Sequence, residues 1–119
     1  MAQHNDLGKK GEDLAVEFMI NEGYQILDRN YRFDRAEVDI LCLKEGVLVA
    51  LEVKTRASSH FGDPQDFVTS KQIKQLVKVV DHYVVDHDMD VEVRFDIIAI
   101  LKQKENYKIK HFKDAFYHF

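Results

Sequence analysis

Two runs rich in branched apolar side chains, residues 36–44 and 47–54, are separated only by Glu45-Gly46. Such runs around a two-residue loop read as a β-hairpin, with Gly46 supplying positive φ. No other feature constrains the fold so tightly, because so short a loop sets the register of both strands. Lys44 pairs with Val47, and counting back sets Asp39 opposite Glu52 and Glu37 opposite Lys54. Directly opposed side chains have Cβ atoms about 4.5–5.5 Å apart. On the second face Val38, Ile40 and Cys42 meet Val53, Leu51 and Val49, without a charge. One face is therefore expected to be core, and the other to carry clustered acids beside a lysine.

Like charges opposed across a strand pair are destabilising, so a structural role explains Asp39 and Glu52 poorly. A divalent cation would reverse the sign of that interaction, since Mg²⁺ is held by one or two carboxylates plus water and phosphate oxygens. Lys54 lies two residues beyond Glu52, on the same face. From there it would orient a water or stabilise charge on a phosphate during phosphodiester hydrolysis. Nearby carboxylates favour its charged form, which argues against a general base. Judged on the hairpin alone, a solvated rim of ion pairs, Glu37 with Lys54 among them, fits equally well. A one-residue register slip would also send Asp39 and Glu52 to opposite faces.

The remaining chain alternates helix and strand patterns, with no repeat or linker. Residues 6–22 read as a helix with Asp6 as N-cap, an apolar stripe of Leu7, Leu14, Ala15, Phe18 and Met19, and Gly23 as its stop. Glu12 lies off that stripe, where solvated charge is the plain reading. Residues 24–33 read as a strand turning at Asp34-Arg35. Residues 56–69, with Gly62 and Pro64, form a loop that is either a substrate flap or a plain connection. Residues 70–86 show helical spacing of Ile73, Leu76, Val77, Val80 and Val84, with Ser70 as N-cap. Lys71, Lys74 and Lys78 form a neighbouring stripe, and Lys71 opens the helix where backbone N–H groups could meet a phosphate. Residues 91–101 read as a strand parallel to the second hairpin strand, since a helix connects them. There Arg94 and Asp96 share a face and brace the sheet end. Residues 106–112 read as a fifth strand. Phe112, Phe116, Tyr117 and Phe119 dock on the core or make a dimer contact. The expected architecture is α/β, a mixed sheet of four or five strands with helices on both faces.

The chain's 119 residues suit one domain. No apolar stretch is long enough for a membrane span, and the polar start resembles no signal peptide. Cys42, the single cysteine, falls on the apolar hairpin face and reads as a buried inert thiol, which suits the cytoplasm. The six histidines show no metal-ligand spacing and are assigned to surface or loops. Seventeen Lys and Arg against 21 Asp and Glu leave a net charge of −4, which argues against avid, indiscriminate nucleic-acid binding. Five of those acids (Asp81, Asp86, Asp88, Asp90, Glu92) crowd into residues 81–92, which contain no Lys or Arg.

Asp39 followed by Glu52-Val53-Lys54 resembles the PD-(D/E)XK nuclease signature. Gly8-x-x-Gly11-Glu12, Gly23-Tyr24, Asn30-x-Arg32, Glu37-Val38-Asp39, Glu52-Val53-Lys54-x-Arg56, Gly62-x-Pro64, Val68, Lys71 and Arg94-Phe95-Asp96 follow in the order seen in the YraN family of small bacterial proteins, relatives of Holliday-junction resolvases. Ala36 departs from that pattern, which usually has Gly there. The resemblance implies a restriction-endonuclease-like α/β/α fold and a site for Mg²⁺ or Mn²⁺. Asp39, Glu52 and the Val53 carbonyl would hold the ion, Lys54 would manage water or phosphate, and Glu12 would assist. Arg32, Arg56 and Lys71 are the expected phosphate contacts, and DNA the expected partner, with junction DNA suiting a homodimer. Two other readings keep the fold without catalysis: a DNA-binding adaptor, favoured by the acidic balance, and a protein-interaction module using the aromatic tail.

Overall fold

The computed structural model describes residues 2–57 and 68–115, with side chains from Leu7 onward. Helix α1 (Ala2–Asn21) is followed by β1 (Gln25–Phe33), β2 (Ala36–Lys44), β3 (Val47–Arg56), α2 (Ser70–Asp86), β4 (Glu92–Gln103) and β5 (Asn106–Phe112). The strands form one sheet in the order β1-β2-β3-β4-β5, parallel only between β3 and β4. Both early turns are tight: Asp34 and Arg35 stand at φ 51° and 69°, Glu45 and Gly46 at 51° and 79°. Two consecutive left-handed residues match the right-handed twist of the flanking strands. The α2 crossover returns the chain parallel to β3, as expected.

The sheet is covered on both sides, giving the expected three layers. Ala15 and Met19 of α1 pack on Ile40, Cys42, Val49, Leu51 and Val53, while Leu76, Val79, Val80 and Tyr83 of α2 pack on Val38, Leu41, Leu48 and Ala50. The expectation of a single apolar hairpin face is thereby corrected. β2 and β3 are central strands buried on both faces for most of their length, and their near-continuous apolar runs follow from that.

Helix ends explain two further differences. α1 starts at Ala2, so Asp6 lies inside it; no Gly or Pro interrupts that first stretch, and extending a formed helix is cheap. At its other end Gly23, at φ 94°, stops the helix as expected: its N–H donates to Ile20 O at 3.0 Å and that of Tyr24 to Met19 O at 3.0 Å. The N-cap of α2 is Thr69, not Ser70. Its hydroxyl accepts from Gln72 N–H at 3.1 Å, and Gln72 Oε1 accepts from Thr69 N–H at 2.8 Å. That reciprocal box needs Gln three residues after the cap, which Thr69 has and Ser70 lacks.

Arg94 and Asp96 brace the sheet as expected. The guanidinium makes two 2.9 Å bonds to the fully buried carboxylate, which also accepts from His111 at 2.7 Å and Asp114 N–H at 2.9 Å. His111 is thus a packed strand residue, and His82, hydrogen-bonded to Tyr31 and stacked 3.7 Å from Phe33, sits within α2. Both depart from the surface assignment because an imidazole with a hydrogen-bond partner is readily buried. Cys42 is buried, its thiol pushed up to about 12 by desolvation, as an inert role requires. No described helix is long and apolar enough to cross a membrane.

Candidate functional site

β2 and β3 pair regularly from Lys44–Val47 back to Ile40–Leu51, in the register read from the loop. There the ladder stops, and side-chain alternation breaks with it. Val38 packs beneath α2 but Ile40 beneath α1, although residues two apart in a strand ordinarily share a face. β1 breaks at the same level: Tyr31, opposite Val38, packs on the α2 side, whereas Arg29, opposite Ile40, reaches Asp13 of α1 at 2.9 Å. Between them stands Asn30, across from Asp39, at φ 53°. Asn tolerates this left-handed conformation, which rotates the strand so that its neighbours change face. The expected pairing of Val38 with Val53 is accordingly absent.

The kink turns Asp39 into the gap. Counting by twos from the turn, Val53 N–H should bond β2 backbone; it donates instead to Asp39 Oδ2 at 2.8 Å. The N–H and C=O of one strand residue project to the same side, so the Val53 carbonyl opens onto the same space. Asp39 and Glu52 both line that space, as like charges. Burial, then the neighbouring Glu52 carboxyl, push Asp39 up to about 8. Lys54 Nζ lies 3.4 Å from Glu52 Oε2, both partly open to solvent. Glu12 enters from α1, held by Asn30 Nδ2 at 3.2 Å and raised by burial and by Asp39. Its helix can come this close because Gly11 lies against Thr55: a Cβ there would fall 1.9 Å from the Thr55 hydroxyl. Glu12, Asp39, Glu52, Val53 and Lys54 line one cavity of about 360 Å³.

A protein-family model described as uncharacterised protein family UPF0102 matches residues 11–100. The chain belongs to the UPF0102 family. UPF0102 is the YraN family, so the resemblance carried by the sequence motifs stands. UPF0102 proteins of Flavobacterium psychrophilum and Christiangramia forsetii are 58% and 59% identical over 119 residues, the whole of both chains. One from Bacteroides thetaiotaomicron is 44% identical over 117 residues, 98% of this chain and 97% of its own.

In this UPF0102 chain the fold brings together all five residues expected to bind the ion or act on the bond: Glu12, Asp39, Glu52, Val53 and Lys54. Of the basic residues, Arg56 lines the same cavity, whereas Arg32 is exposed at the edge of β1, its Nε 3.2 Å from Glu37 Oε2. Glu37 therefore pairs with Arg32 and not with Lys54, because the kink moves it away from β3. Lys71 is exposed in the first turn of α2, where the capping box already takes Gln72 N–H. Gly62, Pro64, Phe116, Tyr117 and Phe119 lie outside the described residues. Sequence reasoning had no role for Asn30. Its signal was present: an Asn at mid-strand is the residue type most tolerant of left-handed backbone after Gly. Among the described residues no three His, Cys, Asp or Glu side chains converge as a metal cage.

Proposed function

We propose that this protein is a metal-dependent nuclease-like enzyme that hydrolyses DNA phosphodiester bonds, with branched or junction DNA as its substrate. The observation that carries this reading is that the Asp39 and Glu52 carboxyls line one cavity with Lys54 and Val53, whose N–H holds Asp39 at 2.8 Å. Two carboxyls that repel each other in one cavity suit a divalent cation, which would offset both charges. The donor set, two carboxylates and a peptide carbonyl, is all oxygen and leaves positions for water and phosphate, as Mg²⁺ or Mn²⁺ prefers. Bound there, the ion supplies Lewis-acid polarisation of the phosphate and lowers the pKa of water.

The chain's own groups do the positioning. Asp39 is oriented by Val53 N–H and Glu52 by Lys54. Lys54 carries its ammonium to the cavity, where it donates to a phosphate oxygen or orients the attacking water. Glu12, raised by burial and by the Asp39 charge, assists from the α1 wall by accepting or returning a proton. The second reading keeps the same fold and cavity in a DNA-binding adaptor without catalysis.

The test is cleavage of labelled four-way, flapped, single-stranded and duplex DNA in Mg²⁺ or Mn²⁺. Glu52→Ala and Lys54→Ala are each expected to lower the rate by about 10²-fold or more, the scale of losing one charge-stabilising group. Cutting that survives both substitutions rules the enzyme out, and binding without cutting by wild type selects the adaptor.

A further inference from the structure

The net charge conceals a separation of charge along the molecule. The acids of residues 81–92 sit at the turn end of the hairpin, where Glu92 pairs with Val47. Residues 102–113 hold Lys102, Lys104, Lys108, Lys110 and Lys113 against Glu105, five bases and one acid, hence +4. They run from the end of β4 through the β4–β5 turn and edge strand β5 to just past it, and the turn lies at the end of the sheet where β3 finishes.

Register places two of these lysines in line with the cavity. Lys54 pairs with Ala99, which pairs with Lys110; Arg56 pairs with Leu101, which pairs with Lys108. Paired residues share a face of the sheet, so Lys54 with Lys110, and Arg56 with Lys108, flank the buried Ala99 and Leu101 of β4 on one side. That side is the one on which Ala99 packs against Val68 and Ile73. Strands lie about 4.7–4.9 Å apart, so each pair spans about 9.5 Å from the cavity to the sheet edge. Lys108 and Lys110 are exposed, and their neighbours Tyr107 and Ile109 pack on the α1 side, which keeps both lysines directed away from the core.

We propose that Lys108 and Lys110 extend Lys54 and Arg56 into a strip that binds the phosphate backbone of the DNA strand leaving the carboxylate cavity. It rests on the nuclease reading for the position of the scissile bond, and on charge complementarity and continuity with the cavity for its partner. Cations spaced along a strand track a backbone without reading its bases, so the strip contributes affinity independent of sequence.

The test is fluorescence anisotropy of labelled single-stranded and four-way DNA with the full chain in EDTA, so that binding is read without cutting, over a range of salt. Lys108→Gln/Lys110→Gln is expected to weaken binding and to make the log–log salt slope shallower by about 1 per lysine. Adding Asp88→Asn/Asp90→Asn restores the original net charge at the far end of the sheet; under the strip it does not restore affinity. Unchanged affinity and slope in the lysine variant overturn the strip, as does full rescue by the distant neutralisations. If the lysine variant binds like wild type yet Glu52→Ala abolishes cutting, the strip falls and the nuclease stands. If binding depends on the two lysines and no metal supports cutting, the strip stands and the nuclease falls. Absence of DNA binding by wild type at low salt overturns both.

Discussion

Two aspartates in this chain meet opposite fates. Asp39 shares its space with Glu52 and has one backbone donor, so burial and like charge raise it to about 8. Asp96 is fully buried, where Asp39 is only partly so, and burial alone would raise it, but His111, the Arg94 guanidinium and Asp114 N–H bring it below its ordinary value. The signs differ accordingly. The protonated form of Asp39 is favoured by folding, so its contribution is complete below about pH 4 and is lost as pH rises through about 8. The contribution of Asp96 is complete above about pH 4 and is lost as pH falls through its lowered pKa. Denaturant titrations across pH, without metal, check both. Asp39→Asn should match wild type at pH 4 and exceed its stability at pH 9 by about 1 kcal/mol or more. Asp96→Asn should cost about 3–5 kcal/mol at neutral pH, the scale for a buried charge left without its partner, and less in acid.

At the scale of elements, two glycines one helical turn apart have different jobs. Gly11 faces the end of β3 so closely that a methyl would strike the Thr55 hydroxyl, while at Gly8 nothing lies within 4 Å. Gly11→Ala should destabilise by about 1–3 kcal/mol through overpacking, and should lift Glu12 from the cavity. Gly8→Ala should be neutral or stabilise by about 0.5–1 kcal/mol, since alanine is the better helix former. Thermal melts of the two single variants make the comparison. The strands were largely legible in the sequence: the loop at Glu45-Gly46 set the β2–β3 register, and it holds for every pair from Lys44–Val47 to Ile40–Leu51. Beyond Ile40 the register could not be extrapolated, because the left-handed turn at Asn30 belongs to a different strand. Strand alternation assumes a regular backbone, and one such residue in the neighbouring strand reverses the faces of both.

For the molecule as a whole, the cavity is where three elements that are separate in sequence must agree. α1 brings Glu12, β2 brings Asp39, and β3 brings Glu52, Val53 and Lys54. A cation bridging β2 and β3 would stabilise the native state against every state in which those strands are apart. Its effect is about 2.7 kcal/mol when present at a hundred times its dissociation constant. Calorimetry in Mn²⁺ or Mg²⁺ should therefore show a higher melting temperature for wild type and none for Asp39→Asn or Glu52→Ala. A wild-type melt indifferent to both ions would remove the metal from the proposal. Net charge misleads at this scale, since the acids of residues 81–92 and the lysines of residues 102–113 occupy different ends of the sheet.

The sequence by itself determined the element order, the mixed sheet, the α2 crossover and the nearness of Asp39 to Glu52. Each follows from local periodicity, turn chemistry or a short loop, which act over a few residues. Only the tertiary structure decided how those acids meet: through a gap made where Asn30 kinks β1 and β2 parts from β3, not across a regular ladder. It also decided that Arg32 pairs with Glu37, that His111 is packed against Asp96, and that lysines more than fifty residues beyond Lys54 fall in line with it. Those outcomes depend on which strands become neighbours, and strand neighbours are chosen by burial over the entire sheet.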